Sequence, residues 1–135
     1  MKGGIITEFF LSHQSQILEY IANLSGLNPS AKLPLYDGYS IAIGNTKIPK
    51  RFLNHNSLLL LPVIFFGKSN NQKSLISSLS HICNTLPYTK TNLHNDSFEI
   101  VDISVGAYPS LIESEPNGMF IWSCTLNILY YSKHF

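Results

Sequence analysis

Apolar residues recur along this chain with two different periods, and the periods predict the elements. Ile6, Phe9, Phe10, His13, Ile17, Tyr20, Ile21 and Leu24 fall three and four apart, which lays a single stripe along a helix. Thr7 or an earlier residue caps the start. Gly26 and Asn28-Pro29 mark the stop, because glycine takes the left-handed conformation that closes a helix and the residue before proline avoids helical angles. Residues 28–57 have no period and hold three of the seven prolines. Within them 40–43 reads as a short strand after an Asp37-Gly38 turn. Residues 58–66 are nine apolar positions without alternation, which predicts a strand covered on both faces. Pro62 within it has no N–H to give and so predicts an edge, a bulge or a strand start.

A second helix follows. Ser69 and Gln72 have capping-box spacing, with Asn70 and Asn71 as rival caps. Leu75, Ile76, Leu79, Ile82, Cys83 and Leu86 form its inward face, Ser74, Ser77, Ser78 and Ser80 much of its outer one, and Pro87 ends it. From 98 to 107 the chain alternates, with Val101, Ile103 and Val105 on one side. Phe98 and Ile100 fall on the other side, so the pattern predicts a bulge near Ile100. A longer alternation of about twelve residues starts at Phe120 and runs through Trp122, Cys124, Leu126, Ile128 and Tyr130. Tyr108 to Gly118 reads as a loop closed by Pro116-Asn117-Gly118.

Helix, strand, strand, helix, strand, strand is not the regular alternation of a parallel fold. It predicts an α+β domain over residues 1–135: a mainly antiparallel four-stranded sheet, two helices packed on one face, and a long C-terminal β-hairpin. The helix between the second and third strands also permits one parallel pair. A chain of 135 residues is one domain's worth.

Composition narrows the function classes. Hydrophobic residues make up 44% of the chain and charged residues 13%, about half the usual charged share. Surface polarity therefore falls to neutral groups, among them 17 Ser and 12 Asn. The net charge of +1 excludes a strongly basic nucleic-acid binder and an acidic disordered chain. Weakly charged surfaces resist self-association poorly, which favours life in an assembly. Two cysteines, Cys83 and Cys124, make neither a disulfide framework nor a four-ligand zinc site and read as buried thiols. No secretory signal and no membrane-length apolar run stands out, which predicts a protein made in a reducing cytoplasm.

The charge is unevenly placed. Residues 1–94 carry eight basic and three acidic side chains, net +5; residues 95–135 carry one and five, net −4. Either the two regions neutralise each other within the fold, or the basic group Lys47, Lys50 and Arg51 of one copy meets an acidic loop with Glu113, Glu115 and Asn117 on the next. Oppositely charged patches at different places give a head-to-tail contact that closes into a ring if the rotation allows. On this reading the hairpin tip is a projecting arm, and those six residues are the candidate subunit interface.

Catalytic chemistry is sparse. His81 and Cys83, two apart on a helix, point in different directions, and His13 lies on an apolar stripe. His94 and Asp96 sit in an ordinary turn. No phosphate loop, nucleophile elbow or metal-ligand set is present. The alternative to a structural role is a small RNA-binding or RNA-cleaving domain using the Lys47–Arg51 and His55 region: His55 as base, Lys50 or Arg51 on phosphate, Phe52 stacking a base. A third reading is a binding domain for a host protein.

One resemblance favours the structural role. The stretch Leu61-Pro62-Val63-Ile64-Phe65-Phe66-Gly67-Lys68 leads through Asn70-Asn71-Gln72 into a helix ending Ile82-Cys83-Asn84-Thr85-Leu86. After the strand that starts at Phe98 come Pro109-Ser110-Leu111-Ile112-Glu113 and Asn117-Gly118-Met119-Phe120-Ile121-Trp122. This order over residues 57–132 resembles the tail-terminator (minor capsid or tail-completion) proteins of long-tailed bacteriophages; residues 28–56 match nothing in that family. The resemblance implies a virion protein, present in the host bacterial cytoplasm during assembly. It implies a ring, commonly of six copies, that caps the tail tube, ends its polymerisation and joins it to the head connector or neck protein. Its partners are then itself, the tail-tube protein and the connector, with no membrane, no specific nucleic acid, no enzyme activity and no cofactor.

Overall fold

A computed structural model of the chain describes residues 2–51, 57–89 and 98–132, with side chains from 13–49, 57–89 and 98–132. In chain order the elements are helix α1 (Lys2–Ser25) and strands β1 (Gly38–Ile43), β2 (Lys47–Arg51) and β3 (Ser57–Ser69). Helix α2 (Gln72–Thr85) follows, running into a 3-10 turn (Leu86–Tyr88), then β4 (Phe98–Ser114) and β5 (Phe120–Ser132). The class is α+β, with a mainly antiparallel sheet and a C-terminal β4–β5 hairpin.

Among the described residues the sheet has five strands rather than four. Its order is β1-β3-β5-β4, with β2 sharing the β3 edge that β1 uses. The extra strand is β2, expected to be irregular. Its five residues include Pro49 and three cations and carry no alternation, so only pairing to β3 reveals it. Every pair of named strands is antiparallel; a parallel bridge occurs only between Ser30 and Ser40. The crossover through α2 does join two parallel strands, β3 and β4, but β5 lies between them.

β3 and β5 pair residue for residue from Ser57–Ser132 to Ser69–Phe120. Leu59, Leu61, Val63 and Phe65 face the same way as Cys124, Leu126, Ile128 and Tyr130, and all eight are buried. Each such side chain contributes roughly 1.5–3 kcal/mol by leaving water. Leu75, Leu79, Ile82 and Cys83 of α2 close over this face. Cys124 Sγ approaches Leu79 O at 4.0 Å, and Trp122 Nε1 donates to Gln72 Oε1 at 3.0 Å, fixing the first turn of α2 to β5. At Gly67 the helix side chain Leu75 lies against the strand backbone. A Cβ there would meet Leu75 Cδ2 at 2.8 Å and Tyr39 Cε1 at 2.9 Å. From His13 onward α1 packs on the same face. His13, Phe98 and Tyr130 make a three-ring cluster with centroids 4.8–6.2 Å apart, and Ile17 and Ile21 complete the core. Gln14, also buried, donates to Thr46 Oγ1 at 2.9 Å.

Several sequence expectations need correcting. Residues 58–66 are covered on one face, not two: Leu58, Leu60, Pro62, Ile64 and Phe66 stay half-exposed on the side away from α2. Pro62 lies in the middle of a central strand; its carbonyl still accepts from Gly44 N at 2.9 Å. Asn71 is the cap of α2, accepting from Ser74 N, and Ser69 accepts from Asn71 N instead of capping. Ile76 is exposed rather than inward. At 100° per residue it falls about 75° from the centre of the stripe made by the buried residues.

The bulge expected near Ile100 is present, and three more follow. β4 has seventeen residues against thirteen in β5, and register shifts at 100/102, 105/107, 107/110 and 111/113 each insert one extra residue. The first shift turns Val101 outward, so it does not share the face of Ile103. It also brings Phe98 and Ile100 onto the buried side.

Burial of Cys124, helped by the charge and hydrogen bond of Cys83, pushes its thiol well up; burial likewise raises Cys83 and Tyr130. Below about pH 8 these groups are protonated in both folded and unfolded chains. Above it the unfolded chain releases protons that the folded one holds, so stability falls as pH rises. The urea midpoint is expected to be flat from neutral pH to about pH 8 and to drop beyond it, with a shallower drop in a C83A/C124A variant.

Candidate functional site

The six residues expected at a subunit interface do not converge. Lys47 is exposed on β2, opposite Leu60 at one edge of the sheet; Lys50 and Arg51 contribute backbone to the same strand. Glu113 is exposed near the end of β4, and Glu115 and Asn117 lie in the turn that follows. That turn sits beside Phe120 and Ile121, which pair with Ser69 and Lys68. From Leu60 to Lys68 is eight residues of β3, roughly 26 Å at strand rise, and β5 and β4 add width. The basic strand and the acidic tip therefore occupy opposite ends and opposite edges of the sheet, and Lys47 does not neutralise the tip within one molecule.

An ion pair between described residues changes the role expected for Glu115. Lys68 Nζ lies 2.6 Å from Glu115 Oε1, with 8% and 27% of the two side chains exposed. Asn117 is also used locally: its Oδ1 accepts from Met119 N at 3.1 Å, while Gly118, at φ +84°, donates to Glu115 O and closes the turn. Nor does the hairpin project as an arm. β5 is paired to β3 along its whole length, and the tip reaches past β3 by a five-residue turn alone. Of the acidic residues at the tip, Glu113 is the one fully turned to solvent.

The surface that sequence reasoning passed over is β4. It is the last strand of the sheet, so among the described residues its outer edge has no strand partner. It exposes Val101, Tyr108, Leu111 and Ile112 by 47–67%, together with Glu99 and Asp102. An unpaired row of N–H and C=O groups beside exposed apolar side chains is a template for another strand. The signal was present in the sequence: Leu111-Ile112 is an aliphatic pair in a stretch read as a loop.

Among the described residues, centres for other chemistry are not assembled. Phe52, His55, His94, Asp96 and His134 lie outside the described residues. His81 is exposed and Cys83 buried, pointing apart as their spacing requires. Among the described residues no group of three or more His, Cys, Asp or Glu is placed to hold a metal, and no helix is long and apolar enough to cross a membrane. A cavity of about 270 Å³ between α1 and residues 29–31 carries one ionisable side chain, Glu19.

The ion pair gives a test. Glu115→Ala strands a Lys68 ammonium that is nearly buried and is expected to cost about 1–3 kcal/mol in urea unfolding. Glu113→Ala, at an exposed position, is expected to stay within about 0.5 kcal/mol of wild type. Comparison of the sequence with protein-family models and with curated proteins finds no match.

Proposed function

We propose that this chain is a structural subunit of a bacteriophage or prophage tail, of the tail-terminator kind. Copies join head to tail into a ring, of six on the family pattern, that caps the tail tube, stops its growth and offers a face to the head connector or neck protein. Its place is the virion, after assembly in the host bacterial cytoplasm. The observation that carries this reading is the outer edge of β4, apolar in patches and without a strand partner among the described residues, in a molecule whose basic strand lies at the far end of the same sheet. A single copy leaves both surfaces unsatisfied, and a neighbour related by rotation satisfies both at once. The order of elements over residues 57–132 supports the same reading.

The full chain, purified and concentrated, is expected to give closed rings of one size by light scattering and negative-stain electron microscopy. These rings loosen as salt rises, because exposed opposite charges are screened over about 8–10 Å. Added to polymerising tail-tube protein, it is expected to give short tubes with one capped end. Monomers at every concentration and salt, together with tubes of unchanged length, would contradict the proposal.

A further inference from the structure

We infer that the groove between the outer edge of β4 and the corner where α2 passes into its 3-10 turn receives the β2 segment of a second copy. The inference rests on the ring reading above and names the contact that reading needs.

The groove has a volume of about 420 Å³. Pro87 and Tyr88 form one wall, and Asp102, Ser104, Val105 and Tyr108 the other. Tyr88 is 86% exposed and Tyr108 67%, so two aromatic rings flank an opening whose floor is an edge strand. Such a site takes an extended segment by adding it to the sheet, with main-chain hydrogen bonds along the edge and side-chain specificity from the walls. Its charge is one-sided: Glu99 and Asp102 are exposed on this strand, and residues 98–132 contain no Lys, Arg or His. The occupant is therefore a cationic strand with an apolar centre.

β2 has that composition. Lys47–Arg51 reads Lys-Ile-Pro-Lys-Arg, three cations and no acid. Ile48 and Pro49 are exposed and fall in the irregular stretch between the Lys47–Leu60 and Lys50–Leu58 pairs, with no partner of their own on β3. A short apolar knob is thus bracketed by cations. It matches an aromatic-walled slot with Asp102 in its lining and Glu99 exposed just before it on the same strand, where proline packs on a tyrosine ring and needs no hydrogen-bond partner for its nitrogen.

Charge also selects among pairings between copies. β4 against β4 places Glu99 and Asp102 opposite the same acids with no cation between them. β2 against β2 repeats the conflict with the opposite sign. β4 against β2 pairs unlike charges, and because the two surfaces lie at different places on the molecule the contact repeats from copy to copy. The sheet then continues from one subunit into the next.

Sedimentation velocity on the full chain tests this with two charge-reversed variants, Asp102→Lys and Lys47→Glu/Lys50→Glu, each checked for a wild-type melting profile. Wild type is expected to assemble, and each variant alone to need at least about tenfold more protein to do so. An equimolar mixture is expected to recover assembly, because the intact groove meets the intact β2 segment in one contact and the two reversed surfaces, again of unlike charge, meet in the other. A synthetic peptide of residues 45–53 is expected to break up wild-type assemblies. Variants that assemble like wild type, a mixture that stays as dispersed as either variant alone, or assemblies indifferent to the peptide would overturn this contact while leaving the ring standing. A wild type that stays monomeric throughout would overturn both.

Discussion

The thirteen-residue pairing of β3 with β5 is the constraint on which the rest of the structure depends. Two strands aligned without a single register shift put Leu59, Leu61, Val63 and Phe65 in one buried layer with Cys124, Leu126, Ile128 and Tyr130. A slip of one residue would turn one strand over: Leu58, Leu60, Pro62 and Ile64 would face inward if β3 slipped, and Ser123, Thr125 and Asn127 would meet the helices if β5 did. Both helices dock on the face this register defines, at the Gly67 contact, the Trp122–Gln72 hydrogen bond and the ring cluster of His13, Phe98 and Tyr130. β4 cannot match so straight a partner without its four extra residues, and its bulges turn Val101 out to solvent.

The parts of the fold legible in the sequence are those with a clean period. α2, β5 and the bulge after Ile100 follow from spacing alone, because buried side chains recur every two or every 3.6 residues whatever they pack against. The misses have physical reasons. An unbroken apolar run such as 58–66 says that each residue tolerates burial, not that each is buried, and here one side is left half-exposed. β2 has no period because its place is fixed by the β3 edge it finds, across a stretch with a proline and a bulge. The second half of β4 is hidden by Gly106, Pro109 and three register shifts, each of which resets the alternation.

The candidate site was legible in its charges and illegible in its geometry. The sign difference between residues 1–94 and 95–135 is real in three dimensions, since Lys47 and Glu113 stand at opposite ends of the sheet. What the sequence could not show is that Lys68, counted with the basic half, folds back onto Glu115. Nor could it show that the hairpin is bound to β3 along its length. In the proposed assembly the acidic surface for a neighbour therefore moves from the tip of the hairpin to the edge of β4, where Glu99 and Asp102 lie on a strand whose outer edge has no strand partner among the described residues.

Amide hydrogen exchange on dilute and assembled full-length protein tests the central claim most directly, that β4 is completed by another copy. Amides on the outer edge of β4 between 101 and 108 should gain protection on assembly, while those of β5, already paired on both sides, should not change. Equal exchange along β4 in the dilute and assembled states would contradict it.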